Sequence, residues 1–346
     1  MKTELTTLCY IEKDEKYLLL HRNKKDKDRS KDLWIGLGGH FLEGESPEEC
    51  VLREVKEESG LTLTNYKLRG IVTFRDPQGI EYMFLYSATE FEGDIPDKDY
   101  NDEGELFWID KNEIIGKLPL WAGDQIFLNL LMNEKEYFSL KLDYNHNRRL
   151  ERAILNGKEM ELFDELDEQG NPTGLTVERN VAHSIGTYHR TAHIWILRPD
   201  EDKDDFQVLL QKRSKNKDSF PGCYDISSAG HVQAGDEYEI SAIREMKEEL
   251  GITAKPEDLQ YIGLHKGFED TLYRGKRFFN REFARVYVYC GDVNDDEIKI
   301  QPEEVESVMW VSYKKCSKMI KEKTIKESIP KDEWKLLGNV VPELFK

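Results

Sequence analysis

With 346 residues, 38% hydrophobic and 34% charged, the chain is long enough for two ordinary domains and reads as soluble and globular, with no apolar run long enough to span a bilayer. A formal charge of −18 excludes general affinity for nucleic-acid backbones and favours small phosphorylated substrates whose charge is met locally. Cys9, Cys50, Cys223, Cys290 and Cys316 are scattered, odd in number and free of any CxxC pair, which points to reduced thiols in a cytoplasm.

The opening MKTELTTLCYIEK lacks a signal peptide's apolar core and reads directly as a strand. Thr6 to Leu20 predicts a hairpin, TTLCYI and YLLLHR around a turn at Glu12–Lys16. A charged loop, Asn23 to Asp32, follows; its Lys24, Lys25, Lys27, Arg29 and Lys31 either hold a polyphosphate or only solvate the loop. Next comes GHFLEGESPEECVLREVKEESGL, Gly39 to Leu61. Ser46 can cap a helix, with Pro47 at its first position, Glu49 completing a capping box and Gly60 ending it. Glu54, Glu57 and Glu58 then share one face, where like charges this close are costly unless a cation neutralises them. Oxygen ligands without Cys or His suit Mg2+ or Mn2+. Arg53 is spaced to fork onto Glu57, and the Gly39–Glu45 loop lets backbone carbonyls approach a ligand. Strand-like runs follow at Tyr66–Thr73, Tyr82–Ala88 and Glu103–Ile109, then a helix at Ile126–Met132 and a strand at Tyr137–Tyr144.

A second copy of the pattern, GHVQAGDEYEISAIREMKEELGI, begins at Gly230, displaced by 191 residues. The same displacement carries Leu18-Leu19 onto Leu209-Leu210, Arg22 onto Arg213 and Lys24 onto Lys215, which marks an internal duplication. Phe107-Trp108 matches Met309-Trp310 only after a longer insertion. A polar turn at Asn156-Gly157 is the expected boundary, giving domains 1–156 and 157–346. The first holds 22 basic and 31 acidic residues and the second 28 and 37, so each carries −9 and neither is a basic nucleic-acid module. From Lys314 onward, Met319, Ile320, Ile325, Trp334 and Leu337 among Lys and Glu predict helices that close the second domain.

An acidic helix face alone is more often only solvated. Here Gly39, Glu45, Arg53, Glu54, Val55, Glu57, Glu58, Gly60 and Leu61 together resemble a complete Nudix box. The resemblance implies an α/β protein of two consecutive Nudix α/β/α sandwich domains with mixed β-sheets. It also implies metal-dependent hydrolysis of a pyrophosphate bond. On the family pattern Glu57, Glu58 and the Gly39 carbonyl hold the metal, Glu54 is a ligand or the general base, and Arg53 supports the catalytic acids. The acid that the family places outside the box is best matched by Glu103, with Glu105 as runner-up. TTLCYIEKDEKYLLLHR, DLWIGLGGHFLEGESPEEC and LPLWAGDQIF resemble bacterial MutT-like 8-oxo-dGTP diphosphatases. That likeness implies Trp121 stacking on a purine, Asp124 at the base edge and Arg22 in substrate binding; the competing reading of Trp121 is a core residue at a helix start. Ile35 stands where some relatives carry Asn, so a preference for oxidised guanine does not follow.

The second box keeps Gly230, Arg244, Glu245, Met246, Glu248, Glu249, Gly251 and Ile252, with Asp236 in place of the first Glu. Its implied ligands are Gly230, Glu245, Glu248 and Glu249, with Glu245 and Arg244 catalytic and Arg244 spaced to fork onto Glu248. ELFDELDEQGNPTGLTVERNVAHSIGTYHRTAHIWIL resembles the Nudix subgroup near isopentenyl diphosphate isomerase, in which histidines bind metal and a Cys before Gly-His protonates the alkene. His183, His189, His193 and His231 form a possible set, His193 fitting a plain strand residue better. Ala229 occupies the Cys position and cannot donate a proton, and the isomerase lacks an intact REXXEE run. A hydrolase is therefore expected, on a prenyl diphosphate, a nucleotide sugar or a dinucleotide. The alternatives are an isomerase-like enzyme and a non-catalytic metabolite sensor. Small-molecule diphosphates, and neither nucleic-acid polymers nor membranes, are the expected partners; oligomeric state is not legible.

Overall fold

A computed structural model describes residues 2–24, 29–95, 101–133, 136–217, 219–273 and 275–345. Among them no helix is long and apolar enough to cross a membrane. The chain divides into two units, Met1–Leu162 with Gly174–Val181, and Phe163–Thr173 with Ala182–Lys346.

The first unit opens with the expected hairpin, β1 (Lys2–Lys13) and β2 (Lys16–His21). Its turn places Asp14 and Glu15 both at positive φ, the geometry that matches strand twist in a two-residue loop. There follow β3 (Trp34–Ile35), α1 (Pro47–Ser59), β4 (Thr62–Arg75), β5 (Gly79–Glu92), β6 (Glu105–Asp110), α2 (Ala122–Asn133), β7 (Phe138–Tyr144), β8 (Leu150–Leu155) and β9 (Lys158–Glu159). The sheet runs β3-β2-β1-β5-β4-β7-β8-β9, with β6 also on β2. It is mixed: β1 lies parallel to β5 and β4 to β7, while β1–β2, β4–β5 and β7–β8 are antiparallel. Alternation along β1 sorts the layers. Cys9 and Ile11 join Val51 and Val55 of α1 in one core, while Tyr10 faces the other way onto Phe127 of α2. Strands β4 and β5 reach 14 residues each, well beyond their apolar runs, because register shifts at Leu63/Asn65 and Leu68/Gly70 break the alternation that sequence reading depends on. Asn156-Gly157, the expected domain boundary, is a hairpin turn with both residues at positive φ, joining β8 to β9 inside this sheet.

The later elements are β10 (Leu162–Leu166), β11 (Pro172–Glu178), α3 (Arg179–Ile185), β12 (Tyr188–Pro199), β13 (Phe206–Arg213), β14 (Tyr224–Asp225), β15 (Ser228–His231), α4 (Tyr238–Leu250), β16 (Leu259–Tyr273), β17 (Lys276–Tyr289), β18 (Val305–Ser312), α5 (Tyr313–Lys321) and α6 (Lys331–Leu344). The second unit is built on β12, which pairs parallel with β17 and antiparallel with β13 and β15. Ala192, Ile194 and Ile196 face Ala242 and Met246 of α4. Trp195 and Leu197 face Cys316 of α5 and Trp334, Leu337 and Val341 of α6. The Lys- and Glu-rich C-terminal stretch thus supplies the second helical layer, as its apolar spacing predicts.

A buried ion pair seats α6. His193 Nδ1 lies 2.7 Å from Glu333 Oε1, and Trp195 Nε1 donates to the other carboxylate oxygen at 3.0 Å. Burial alone would depress the imidazole; the Glu333 carboxylate, with Glu282 of β17 and Asp225 of β14, overrides it and lifts the group to about 9. His265 of β16 stacks beside the ring. A pKa raised on folding contributes stability that is complete below the unfolded value near 6.5 and is lost as pH rises through about 9. The wild-type unfolding free energy should therefore fall between pH 7 and 9.5 more steeply than that of His193→Gln, by an amount on the order of 2–3 kcal/mol. Parallel calorimetric curves for the two proteins would show that the pair contributes nothing.

Candidate active sites

The first box helix is capped as expected: Ser46 Oγ accepts from the Glu49 amide at 3.2 Å, Glu49 accepts from the Ser46 amide at 2.8 Å, and Gly60 closes the helix at φ 72°. This fixes the rotation that turns Glu54 and Glu58 toward the Gly38-Gly39 loop, while Glu57 on the same helix bonds Arg53. Glu54 lies directly on Gly39, where a Cβ would come 2.5 Å from its carboxyl carbon. The Gly39 carbonyl accepts from the Thr7 amide at 2.9 Å and, more weakly, from the Cys50 thiol at 3.7 Å. Glu58 is buried and accepts from the Gly38 amide at 2.8 Å. Burial, aided by the neighbouring charges of Glu103 and Glu54, pushes its carboxyl up to about 8. Glu57 is mostly exposed.

The Arg53 fork does not close chiefly on Glu57. Its Nε and one terminal nitrogen grip Glu45 at 2.6 and 2.9 Å, the other terminal nitrogen donates to Glu54 at 2.7 Å, and Glu57 receives one longer bond of 3.2 Å. Helical spacing alone could not reveal this, because Glu45 arrives from the preceding loop. Glu103 comes within electrostatic reach of Glu58 and pairs with Arg22 at 2.6 Å, so Arg22 joins the acid cluster. Asn101 is a partner that nothing in the local sequence marks. Its side chain accepts from the Glu103 amide at 2.7 Å and donates to the Glu58 carbonyl at 3.2 Å. Glu105 stands in β6 opposite His21.

Trp121 is half-buried, edge-on to Phe74 and Tyr144, with Nε1 donating to Ser30 at 3.1 Å and the Arg148 guanidinium 5.6 Å from the ring centre. Asp124 is buried; desolvation and the Glu81 charge raise its carboxyl to about 8. Arg29 pairs with Glu81 and lies over Phe74, so this loop cation is committed to an acid. Lys25 and Lys27 lie outside the described residues.

The second unit repeats the device at the same displacement of 191. Glu245 lies on Gly230, where any Cβ would overlap its side chain. Glu249 is buried and accepts from the Ala229 amide at 3.3 Å and Ser228 Oγ at 2.7 Å, as Glu58 accepts from Gly38; burial raises its carboxyl too. Arg244 bonds Asp236 at 2.8 Å and Ser241 at 3.2 Å, the counterpart of Arg53 on Glu45, so the fork expected on Glu248 goes to the loop acid here as well. Glu248 is exposed.

Beside Gly230, the ring nitrogens of His183, His189 and His231 lie within 4.8 Å of one another, close enough to share a metal ion. Phe163 stacks on His189 and His231 at 4.8 and 4.6 Å. His193, the fourth histidine of the expected set, is committed to Glu333 instead.

The chain matches the family described as NUDIX domain twice, over residues 2–131 and 187–331. It is 38% identical over 155 residues to Nudix hydrolase 3 of Arabidopsis thaliana, a span of 44% of this chain and 19% of that protein. It is 34% identical to an uncharacterized Nudix hydrolase of Clostridium acetobutylicum, over 48% of this chain and 76% of the relative. An isopentenyl-diphosphate Delta-isomerase of Salmonella heidelberg is 29% identical over 45% of this chain and 79% of its own length. The solved MutT protein of Bacillus halodurans aligns with a TM-score of 0.40 at 28% identity, covering 45% of this chain and 99% of its own. The family match spans most of the chain and falls once on each box, so the chain belongs to the Nudix family and carries the domain twice.

Proposed function

We propose that both units hydrolyse pyrophosphate bonds of small phosphorylated molecules with Mg2+ or Mn2+, the first acting on purine nucleoside triphosphates. The observation that carries this reading is the repeated contact between loop glycine and helix glutamate, Gly39 with Glu54 and Gly230 with Glu245. The donor sets fit a hard divalent cation. Glu54, Glu57, Glu58 and the Gly39 carbonyl, like Glu245, Glu248, Glu249 and the Gly230 carbonyl, offer oxygen alone. A cation bound there neutralises the crowded diphosphate and acidifies the attacking water.

The chain's own groups do the positioning. Glu45 holds Arg53, and Arg53 holds Glu54, which serves as ligand or as acceptor of the water proton. Glu103, steadied by Arg22 and Asn101, orients the water. Trp121 carries Arg148 near its ring and would offer a face to the purine. Asp124, protonated at neutral pH, would donate to an acceptor on the base edge. Ile35 stands where some relatives carry Asn and has no polar side-chain atom, so selectivity for an oxidised base is not part of the proposal. We assign the protein to the cytoplasm on its thiol pattern.

A second reading of the C-terminal unit rests on the His183, His189, His231 cluster, which fits a metal outside the box and so an isomerase-like or metabolite-sensing site. Ala229, paired with His193 across β15 and β12, offers no proton for an alkene. Hydrolysis is therefore the preferred reading.

In the full chain, Glu57→Gln and Glu58→Gln should each lower purine triphosphate turnover on the order of 10²–10⁴-fold with the melting temperature held. Chelation should abolish turnover and Mg2+ restore it; wild-type rates in either variant would sink the assignment. Trp121→Ala should raise KM by roughly 10–100-fold, as for a lost base stack of ~1–3 kcal/mol. An equal loss on a substrate without a base would show that the ring is core instead. Isopentenyl diphosphate incubated with the chain and Mg2+ should yield no dimethylallyl isomer; its appearance, lost in Glu249→Gln, would overturn the hydrolase reading of the C-terminal unit.

A further inference from the structure

Strand β16 is an edge: among the described residues it pairs with β17 alone. Long edges normally carry features that discourage pairing with another chain. This one displays four of the ten large hydrophobic side chains exposed among the described residues. They are Tyr261, Leu264, Phe268 and Leu272, the last two at 69% and 70% exposure. From Leu264 to Leu272 the strand alternates strictly between exposed and partly covered positions. The exposed face therefore reads Leu264, Lys266, Phe268, Asp270, Leu272.

That order is self-complementary. Turned about a two-fold axis at Phe268 and laid antiparallel on itself, the strand sets Phe268 against Phe268, Leu264 against Leu272 and Lys266 against Asp270. Directly opposed apolar pairs and opposite charges both stabilise antiparallel strands. Moving the axis by one residue sets Leu264 against Asp270 and Lys266 against Phe268, so the pattern selects one register. Asp270 already pairs with Arg277 of its own hairpin at 2.8 Å, and its carboxylate has lone pairs left for a second cation. The alternative occupant, a polyanion, meets Asp270 on this face and a unit whose share of the sequence is acidic overall.

We propose that β16 is a self-association edge, pairing antiparallel with β16 of a second copy of this chain about an axis at Phe268. An isologous contact of this kind repeats each charge pair twice.

Sedimentation velocity on the full chain tests it. The wild type should form a particle of twice 40.5 kDa. Lys266→Glu sets an acid against Asp270, and Asp270→Lys sets a base against Lys266; each should weaken dimerisation roughly tenfold or more. An equimolar mixture of these two variants restores both opposed pairs and should recover dimer as a heterodimer. Phe268→Lys, at an exposed position, should give a monomer with unchanged circular dichroism and purine triphosphatase rate. A monomeric wild type, a dimer indifferent to all three substitutions, or a mixture that stays monomeric would overturn the proposal. So would a monomeric wild type that binds a single-stranded oligonucleotide through Phe268.

Discussion

Both candidate centres depend on a missing methylene. Gly39 and Gly230 let a helix glutamate rest on the loop backbone at a distance that any side chain would forbid. Because the contact is so close, the box helix cannot slide or rotate relative to its loop without either clash or gap. The capping box of α1 and the left-handed glycines that end both helices fix the same rotation from the two ends. Helix, loop and first strand are thereby locked as one piece: the Thr7 amide of β1 bonds the Gly39 carbonyl, and the Gly38 amide bonds Glu58.

Electrostatics divides the acids between support and reactivity. The first acid of each box, Glu45 or Asp236, takes the arginine. The Arg53 interaction holds the Glu45 carboxyl down at about 2, so it stays ionised and bonded across the working range. The last acid of each box is buried against a backbone amide and pushed the other way. Two glutamates on one short segment are thus pushed in opposite directions, one held charged by a guanidinium and one disfavoured as a charge by burial. Shortening Glu45 to Asp236 in the second unit leaves the arginine contact intact and brings in Ser241 as an additional partner. That is why the substitution does not by itself dismantle the second centre.

What was legible in the sequence followed from period and spacing. The caps of α1, the single face bearing Glu54, Glu57 and Glu58, the opening hairpin and the C-terminal helical layer all rest on local rules, and the structure contains each. What was not legible lies in contacts between segments distant along the chain. Arg53 reaches a loop acid eight residues back in preference to the helical neighbour four residues on. Asn101 ties the approach to β6 onto the end of α1 across 43 positions. His193 looks like its fellow histidines until α6 brings Glu333 against it from 140 residues away. The Asn-Gly at 156–157 has the composition of a linker and of a tight hairpin alike, and only the pairing of β8 with β9 decides between them.

That hairpin and the chain beyond it bear on the order of folding. The first unit includes residues 174–181, which follow a segment belonging to the second. Thr176 Oγ1 donates to the Leu150 carbonyl at 2.7 Å, and the Arg179 amide donates to the Glu161 carbonyl at 3.0 Å. A growing chain that has emerged only as far as Asn156 still lacks these partners, although its complete Nudix box is already outside the ribosome. Those two bonds can form only after residues 163–173, which belong to the second unit, have been made. Duplication here has left two units whose sequences interleave at residues 163–181 instead of following one another end to end.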